Sequence, residues 1–94
     1  MSSKQEYEVR QEVKLFAEQM EKRLQAHDNR PGWRNEQNDY LYVLMHAKVE
    51  LMGVTSPSEK ELILKLATDI ANFAMMIHDN TCKKELQSKY KETN

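Results

Sequence analysis

The apolar residues of the N-terminal third recur at spacings of three and four. They are Val9, Val13, Phe16, Met20 and Leu24. This spacing places them on one face of a helix, with Glu, Lys and Arg filling the other side. Ser3 followed by Glu6 matches a capping box, and the string HDNRPG that follows is rich in turn formers. The pattern predicts a helix over about 4–27.

A second helical pattern follows that turn. Asn38 is the predicted N-cap and Gly53 the predicted C-terminal cap, which gives a helix over about 38–52. Its apolar side consists of Leu41, Leu44, Met45, Leu51 and Met52. A second side carries Val43, His46, Ala47 and Glu50. His46 and Glu50 are four residues apart, so their side chains can point the same way.

The third pattern opens with the string SPSE. Ser56 as N-cap, Pro57 at the first helical position and Glu59 two residues later predict a helix start. The helix is predicted over about 57–79, with Asn80 as its end. It is apolar nearly all round, which is typical of a helix buried centrally or at a subunit interface. The string TCKKELQSKYKE predicts a weaker terminal helix over about 81–91, or an extension of the third.

The joint between the second and third helices is short, which predicts an antiparallel helix hairpin. The chain has 94 residues, of which 39% are hydrophobic and 31% charged. One domain of this size, covering 1–94, can bury only a small core, and such chains often complete it with a second copy. The sequence thus predicts an all-α fold, a helical bundle with a central antiparallel hairpin that is completed by oligomerisation.

Charge and composition exclude several partners. Lys and Arg number 14 against 15 Asp and Glu, without a long single-sign block, so no nucleic acid polymer is expected as a partner. Cys82 is the only cysteine, which favours a reducing compartment. No apolar run approaches the length of about 20 residues that spans a bilayer, and the polar N-terminus is no signal peptide. We expect a cytoplasmic protein without membrane contact.

One carboxylate is a candidate for a metal-binding residue. Asp69 lies within the apolar string KLATDIANFAMMIHDN, and the predicted hairpin can bring it towards Glu50 of the facing helix. Carboxylates of this kind hold Mg²⁺ together with waters and substrate phosphates, so one hypothesis is a cation that binds a triphosphate. The alternative is that both acids lie at helix edges, solvated or in salt bridges.

Two further sets of residues have both a binding and a structural interpretation. Trp33 lies between Arg30 and Arg34, where a base could stack on the indole and the guanidinium groups meet phosphates. Equally, Trp33 could cap the hydrophobic end of the bundle. Asn72, one turn after Asp69, could contact a base or a sugar, or only satisfy a backbone group.

The string DIANFAMMIHDN and the upstream RPGWRNEQNDYLYVLMHAKVEL resemble the MazG-like branch of the all-alpha nucleotide pyrophosphatases. The similarity is closest to the short, single-domain forms of bacteriophages and covers about residues 20–80. The resemblance implies a helical bundle that assembles as a homodimer or homotetramer. It also implies hydrolysis of a nucleoside triphosphate to a monophosphate and pyrophosphate with Mg²⁺.

The family's metal motifs are Glu-Glu-x-x-Glu on one helix and Glu-x-x-Asp on a later one. Here they fall on 46–50 and 66–69, and only their last acids, Glu50 and Asp69, are present. The resemblance thus implies Glu50 and Asp69 as catalytic metal ligands. His46 is a third candidate ligand, better suited to Mn²⁺ than to Mg²⁺, and Lys48 could meet a phosphate as a point charge.

Two functions follow. The first is a MazG-like nucleoside triphosphate pyrophosphohydrolase that uses Glu50 and Asp69, with Trp33, Arg30, Arg34, Lys48 and Asn72 as nucleotide-binding residues. The second is a MazG-like fold that has lost catalysis, because Ala and Leu cannot replace missing carboxylates. It would act as a nucleotide-binding or protein-interaction oligomer.

Overall fold

The computed structural model describes residues 8–26, Trp33 and 36–93, and for 84–93 it describes the backbone alone. Within these residues the chain contains three α-helices and no strand: α1 (Gln11–Ala26), α2 (Asn38–Gly53) and α3 (Lys60–Thr93). Both α1 and α2 pack against α3, and within the described part they do not pack on each other. The predicted all-helical class is confirmed. None of the described helices is long and apolar enough to span a membrane.

Helix α1 is shorter than predicted. Residues 8–10 are not helical, and the backbone carbonyl of Arg10 accepts the first helical hydrogen bonds, from the amides of Val13 and Lys14 at 3.1 Å each. The predicted capping box of Ser3 and Glu6 lies outside the described residues. The prediction of helix at 8–10 is therefore wrong.

The two ends of α2 use backbone groups where the sequence predicted side-chain and glycine caps. Gln37 occupies the N-cap position without a side-chain hydrogen bond, and Asn38 is already helical. At the other end Gly53 is the last helical residue and does not adopt a positive φ. The amides of Val54 and Thr55 donate to the carbonyls of Leu51 and Met52, each at 3.2 Å, which tightens the last turn without a left-handed residue.

Helix α3 begins at Lys60, three residues after the predicted start at Pro57. The Ser56 hydroxyl accepts a hydrogen bond from the Ser58 amide at 3.3 Å, and the Ser56 carbonyl accepts one from the Glu59 amide at 2.9 Å. These bonds form a turn that competes with the first helical turn. Helix growth starts after it, with the Ile63 amide donating to the Glu59 carbonyl.

At its other end α3 continues through Asn80, which was the predicted terminus, to Thr93. The segment 81–93 is therefore an extension of α3, as one of the two predicted alternatives had it. A helix of 34 residues is about 51 Å long, close to the 55 Å longest dimension of the whole chain. Since α1 and α2 have 16 residues each, α3 extends beyond the helices that pack on it.

The hydrophobic core is small. Among the described residues the buried apolar side chains are Leu41 of α2 and Leu66 of α3, each 2% exposed. Three polar residues are also buried: Thr68, Asn72 and Asn80. The Thr68 hydroxyl donates to the Leu64 carbonyl of the same helix at 2.8 Å, and the two asparagines contact other elements. The relative positions of the helices therefore depend on both apolar packing and polar contacts.

Replacing Leu66 tests this core. Leu66 is 2% exposed and Leu64, two residues earlier on α3, is 67% exposed. We expect Leu66→Ala to lower the free energy of unfolding by about 2–4 kcal/mol, because it removes buried methyl groups and leaves a cavity. Leu64→Ala, the matched control, should change it by about 0.5 kcal/mol or less. Urea denaturation at one fixed protein concentration measures both, and equal effects would contradict the assignment of the core.

Candidate functional site

Asp69 is the centre of an ion cluster that joins all three helices. Its carboxylate accepts two hydrogen bonds from the Arg23 guanidinium of α1, Nε to Oδ1 and Nη2 to Oδ2, both 3.0 Å long. The Nζ of Lys48, on α2, lies 3.3 Å from the same Oδ2. The Asp69 side chain is only 14% exposed. Two cations from two helices therefore share one half-buried carboxylate.

The electrostatics follow from this geometry. Burial alone would raise the pKa of the Asp69 carboxyl, but the hydrogen bonds and charges of Arg23, and then those of Lys48, together outweigh it and lower the pKa. The hydrogen bond to Asp69 in turn raises the pKa of Arg23. A bidentate arginine–carboxylate pair is also geometrically specific. Asp69 and Arg23 therefore stay ionised over the ordinary pH range, and their pair fixes the relative placement of α1 and α3.

Glu50 and His46 form a different pair. The His46 Nε2 and a Glu50 carboxylate oxygen are 3.4 Å apart on successive turns of α2, and the Glu50 side chain is 71% exposed. Asp69 makes its contacts with Arg23 and Lys48 instead. Among the described residues no group of three or more His, Cys, Asp or Glu side chains is arranged to hold a metal ion. These donors do not fit Mg²⁺, which requires several convergent oxygen ligands.

Trp33 docks on α3. Its indole Nε1 donates to an Asp79 carboxylate oxygen at 3.1 Å, and its backbone carbonyl accepts from Asn80 Nδ2 at 3.2 Å. Asn80 Nδ2 also lies 3.4 Å from the Asn38 Oδ1 of α2. These contacts hold Trp33 on α3, and its two interpretations stay predictions. Its predicted neighbours in nucleotide binding, Arg30 and Arg34, lie outside the described residues.

Asn72 contacts a backbone group of α1. Its Nδ2 donates to the Met20 carbonyl at 3.2 Å, and the residue is 4% exposed. Its Oδ1 is buried and has no hydrogen-bond partner in the described part of the chain. The Asn72 amide thus helps to hold α1 on α3, one turn from Asp69, which agrees with the structural alternative.

Sequence patterns did not identify the contacts of two residues, Arg23 and Asn80. Arg23 follows Met20 by three residues and Phe16 by seven, so it interrupts the apolar face of α1. A cationic residue on an apolar helix face is the sequence feature that could have indicated a buried acidic partner. For Asn80 the sequence predicts a helix end, because asparagine commonly occupies that position, and no local signal identifies its contact with Trp33.

Removing one cation at a time tests the cluster. Arg23→Gln should lower the free energy of unfolding by about 1–2 kcal/mol, because it breaks both short hydrogen bonds to a half-buried carboxylate. Lys48→Gln, the matched control at a more exposed cation, should cost about 0.5 kcal/mol or less. Urea denaturation at fixed concentration gives both values. A cost for Lys48→Gln as large as that for Arg23→Gln would contradict the dominant role of the bidentate pair.

The lowered pKa of Asp69 predicts acid sensitivity. The unfolded carboxyl takes up its proton near the ordinary value of about 3.9, whereas the folded one stays charged to lower pH. As the pH falls through this window the unfolded state binds more protons, so the free energy of unfolding decreases. The stabilisation is therefore complete well above pH 4 and is lost as the pH falls towards the lowered folded pKa.

Asp69→Asn should lack this component, so its free energy of unfolding should depend less on pH between about 5 and 3. Urea denaturation across that range compares it with the wild type. Glu50→Gln removes an exposed carboxylate elsewhere and serves as the control, which should follow the wild type. Superimposable pH profiles for the wild type and Asp69→Asn would refute the prediction.

Comparison with protein-family models, with curated proteins and with solved structures finds no match for this chain. The resemblance over about residues 20–80 therefore stays a prediction from the strings that carry it. The function proposed next rests on the contacts and the exposure of the described residues.

Proposed function

We propose that this chain is a self-assembling helical module of MazG-like fold that acts through protein–protein contacts. The observation that carries the proposal is the exposure of large apolar side chains on helices that bury few of them. Those exposed among the described residues are Val9, Val13, Leu15, Phe16, Tyr40, Tyr42, Val43, Val49, Leu51, Val54 and Leu64. Apolar residues that lie together at a surface are typical of an interaction site, and most of these lie on α1 and α2.

We propose a homodimer or homotetramer as the assembly, which are the states that the resemblance implies. A stable protein–protein interface covers about 800 Å² on each partner.

The proposed bundle has α2 and α3 as its antiparallel hairpin. Two contacts support this orientation. Asn38, at the start of α2, lies near Asn80 of α3, and Lys48, ten residues later, lies near Asp69, eleven residues earlier. Rising numbers on one helix thus meet falling numbers on the other. We further propose a cytoplasmic location, because a single cysteine fits a reducing compartment.

The competing proposal is the nucleoside triphosphate pyrophosphohydrolase that the resemblance implies. It would require Asp69 to exchange Arg23 and Lys48 for a divalent cation, and Glu50 to leave solvent and His46 for the same ion. Charge-assisted bonds to Arg23 and Lys48 already neutralise the Asp69 carboxylate. The contacts of both carboxylates therefore favour the non-hydrolytic alternative.

Light scattering after size-exclusion chromatography tests the assembly. The full chain should show a mass of at least twice 11.1 kDa at micromolar concentration, and dilution should shift it towards one chain, because association follows mass action. A single-chain mass at every concentration up to the millimolar range would exclude self-assembly.

A coupled phosphate-release assay tests the competing proposal. A panel of ribo- and deoxyribonucleoside triphosphates with Mg²⁺ or Mn²⁺ should give no release of pyrophosphate above background. Glu50→Gln is the decisive variant, since the exposed Glu50 side chain can change without loss of the fold. Turnover by the wild type that disappears in Glu50→Gln would establish the pyrophosphohydrolase instead.

A further inference from the structure

Helix α1 contacts the rest of the described chain through its last two turns. Residues 11–19 are all exposed, whereas Met20, Arg23 and Leu24 are half-buried. The helix contains no buried residue. It packs on α3 and, among the described elements, on no other. The docking of α1 therefore depends on a short contact at one end of the helix.

Hydrogen bonds hold this contact in place. Arg23 makes its two bonds of 3.0 Å to the Asp69 carboxylate. The Asn72 amide donates to the Met20 carbonyl at 3.2 Å. On each helix the two residues involved are three positions apart, so they lie about one turn from each other. We call these four residues the latch of α1.

The latch leaves one polar atom without a partner. The Asn72 Oδ1 is buried and accepts no hydrogen bond from the described residues. A buried acceptor that has exchanged water for no partner makes the docked state less favourable than one in which every group is satisfied. The contact is thus specific in direction and limited in strength.

The contact between α2 and α3 is of a different kind. Each helix contributes a leucine that is 2% exposed, Leu41 from α2 and Leu66 from α3. Burial of apolar side chains is the main favourable contribution to folding. At one end of this pair the side chains of Asn38 and Asn80 lie 3.4 Å apart. These contacts join α2 to α3 through residues that do not belong to α1.

We infer that α1 is a releasable cover of α3, a helix that leaves and rejoins α3 as one unit through the latch while α2 and α3 stay packed. Parts of a protein with few buried apolar contacts open at a lower free energy than its core. Release uncovers the side of α3 that carries Asp69 and Asn72, the residues that Arg23 and Met20 occupy in the closed state. The latch thereby controls access to the candidate site, whether or not the chain self-assembles.

Amide hydrogen exchange of the full chain, followed by mass spectrometry at one protein concentration, tests the inference. A free helix of 16 residues is marginal in water, so the amides of α1 exchange when it is released. They should exchange faster than the amides around Leu41 and Leu66. In urea well below the unfolding transition their rates should rise only slightly, because release exposes little surface. The amides around the two leucines should respond strongly.

Replacing Leu41 separates release from global unfolding. Leu41→Ala leaves a cavity between α2 and α3, so it should accelerate exchange around Leu41 and Leu66 about 30-fold or more. The amides of α1 should keep their rates within about twofold. If α1 opened only when the whole chain unfolds, both sets of amides would accelerate by the same factor.

Replacing Arg23 tests the latch itself. Arg23→Gln should accelerate exchange in α1 about 5–30-fold, because it removes both bonds to Asp69. Lys48→Gln is the matched control, since Lys48 meets the same carboxylate from α2. It should change the rates in α1 about twofold or less.

The outcomes decide the inference. Exchange in α1 that is insensitive to urea, unchanged in Leu41→Ala and accelerated in Arg23→Gln supports it. Exchange in α1 that follows the amides around Leu66 in urea and in Leu41→Ala overturns it, as does an equal acceleration by Arg23→Gln and Lys48→Gln. Should Leu41→Ala fail to fold, the urea series on the wild type decides between release and global unfolding.

Discussion

The structure depends on the meeting of three charges at Asp69. Helices α1 and α2 pack on α3 and, in the part of the chain described, not on each other, so the Asp69 carboxylate is where a side chain from each of them meets the same group. Arg23 fixes α1 through two hydrogen bonds of defined direction, and Lys48 adds a charge from α2. Because so few apolar side chains are buried, the relative placement of the helices depends on these polar contacts more than in a larger domain.

The same principle extends along α3. Asn72, one turn after Asp69, donates to the backbone of α1, and Asn80, three turns after Asp69, contacts both Trp33 and α2. A buried polar group that finds its partner in only one arrangement disfavours the alternatives, because any shift leaves it unsatisfied. Contacts between apolar helix faces are less specific for one register, so two helices can slide past each other at a smaller cost. We therefore interpret the polar residues of α3 as the determinants of register, and its apolar residues as the source of association.

Much of the fold was predictable from local patterns, and most of the candidate site was not. Periodicity identified all three described helices, since the positions that face a core repeat with the helical turn. It did not identify the partner of Asp69, because Arg23 lies 46 residues earlier and nothing local joins the two. The predictions of the helix ends were wrong for a related reason. Ser56 and Gly53 have the residue types of caps, but competing backbone hydrogen bonds decided where α2 and α3 end and begin.

Exposure also changes the interpretation of α2. In the sequence its second side, with His46 and Glu50, suggested a place for ligands, since two metal-binding residue types share one face there. In the structure that pair is in solvent, on the side of α2 opposite the buried Leu41. Leu51 and Val54, at the C-terminal end of α2, are exposed apolar residues as well. Their exposure supports the proposed self-assembly, because an apolar side chain left in solvent gains stability when another chain covers it.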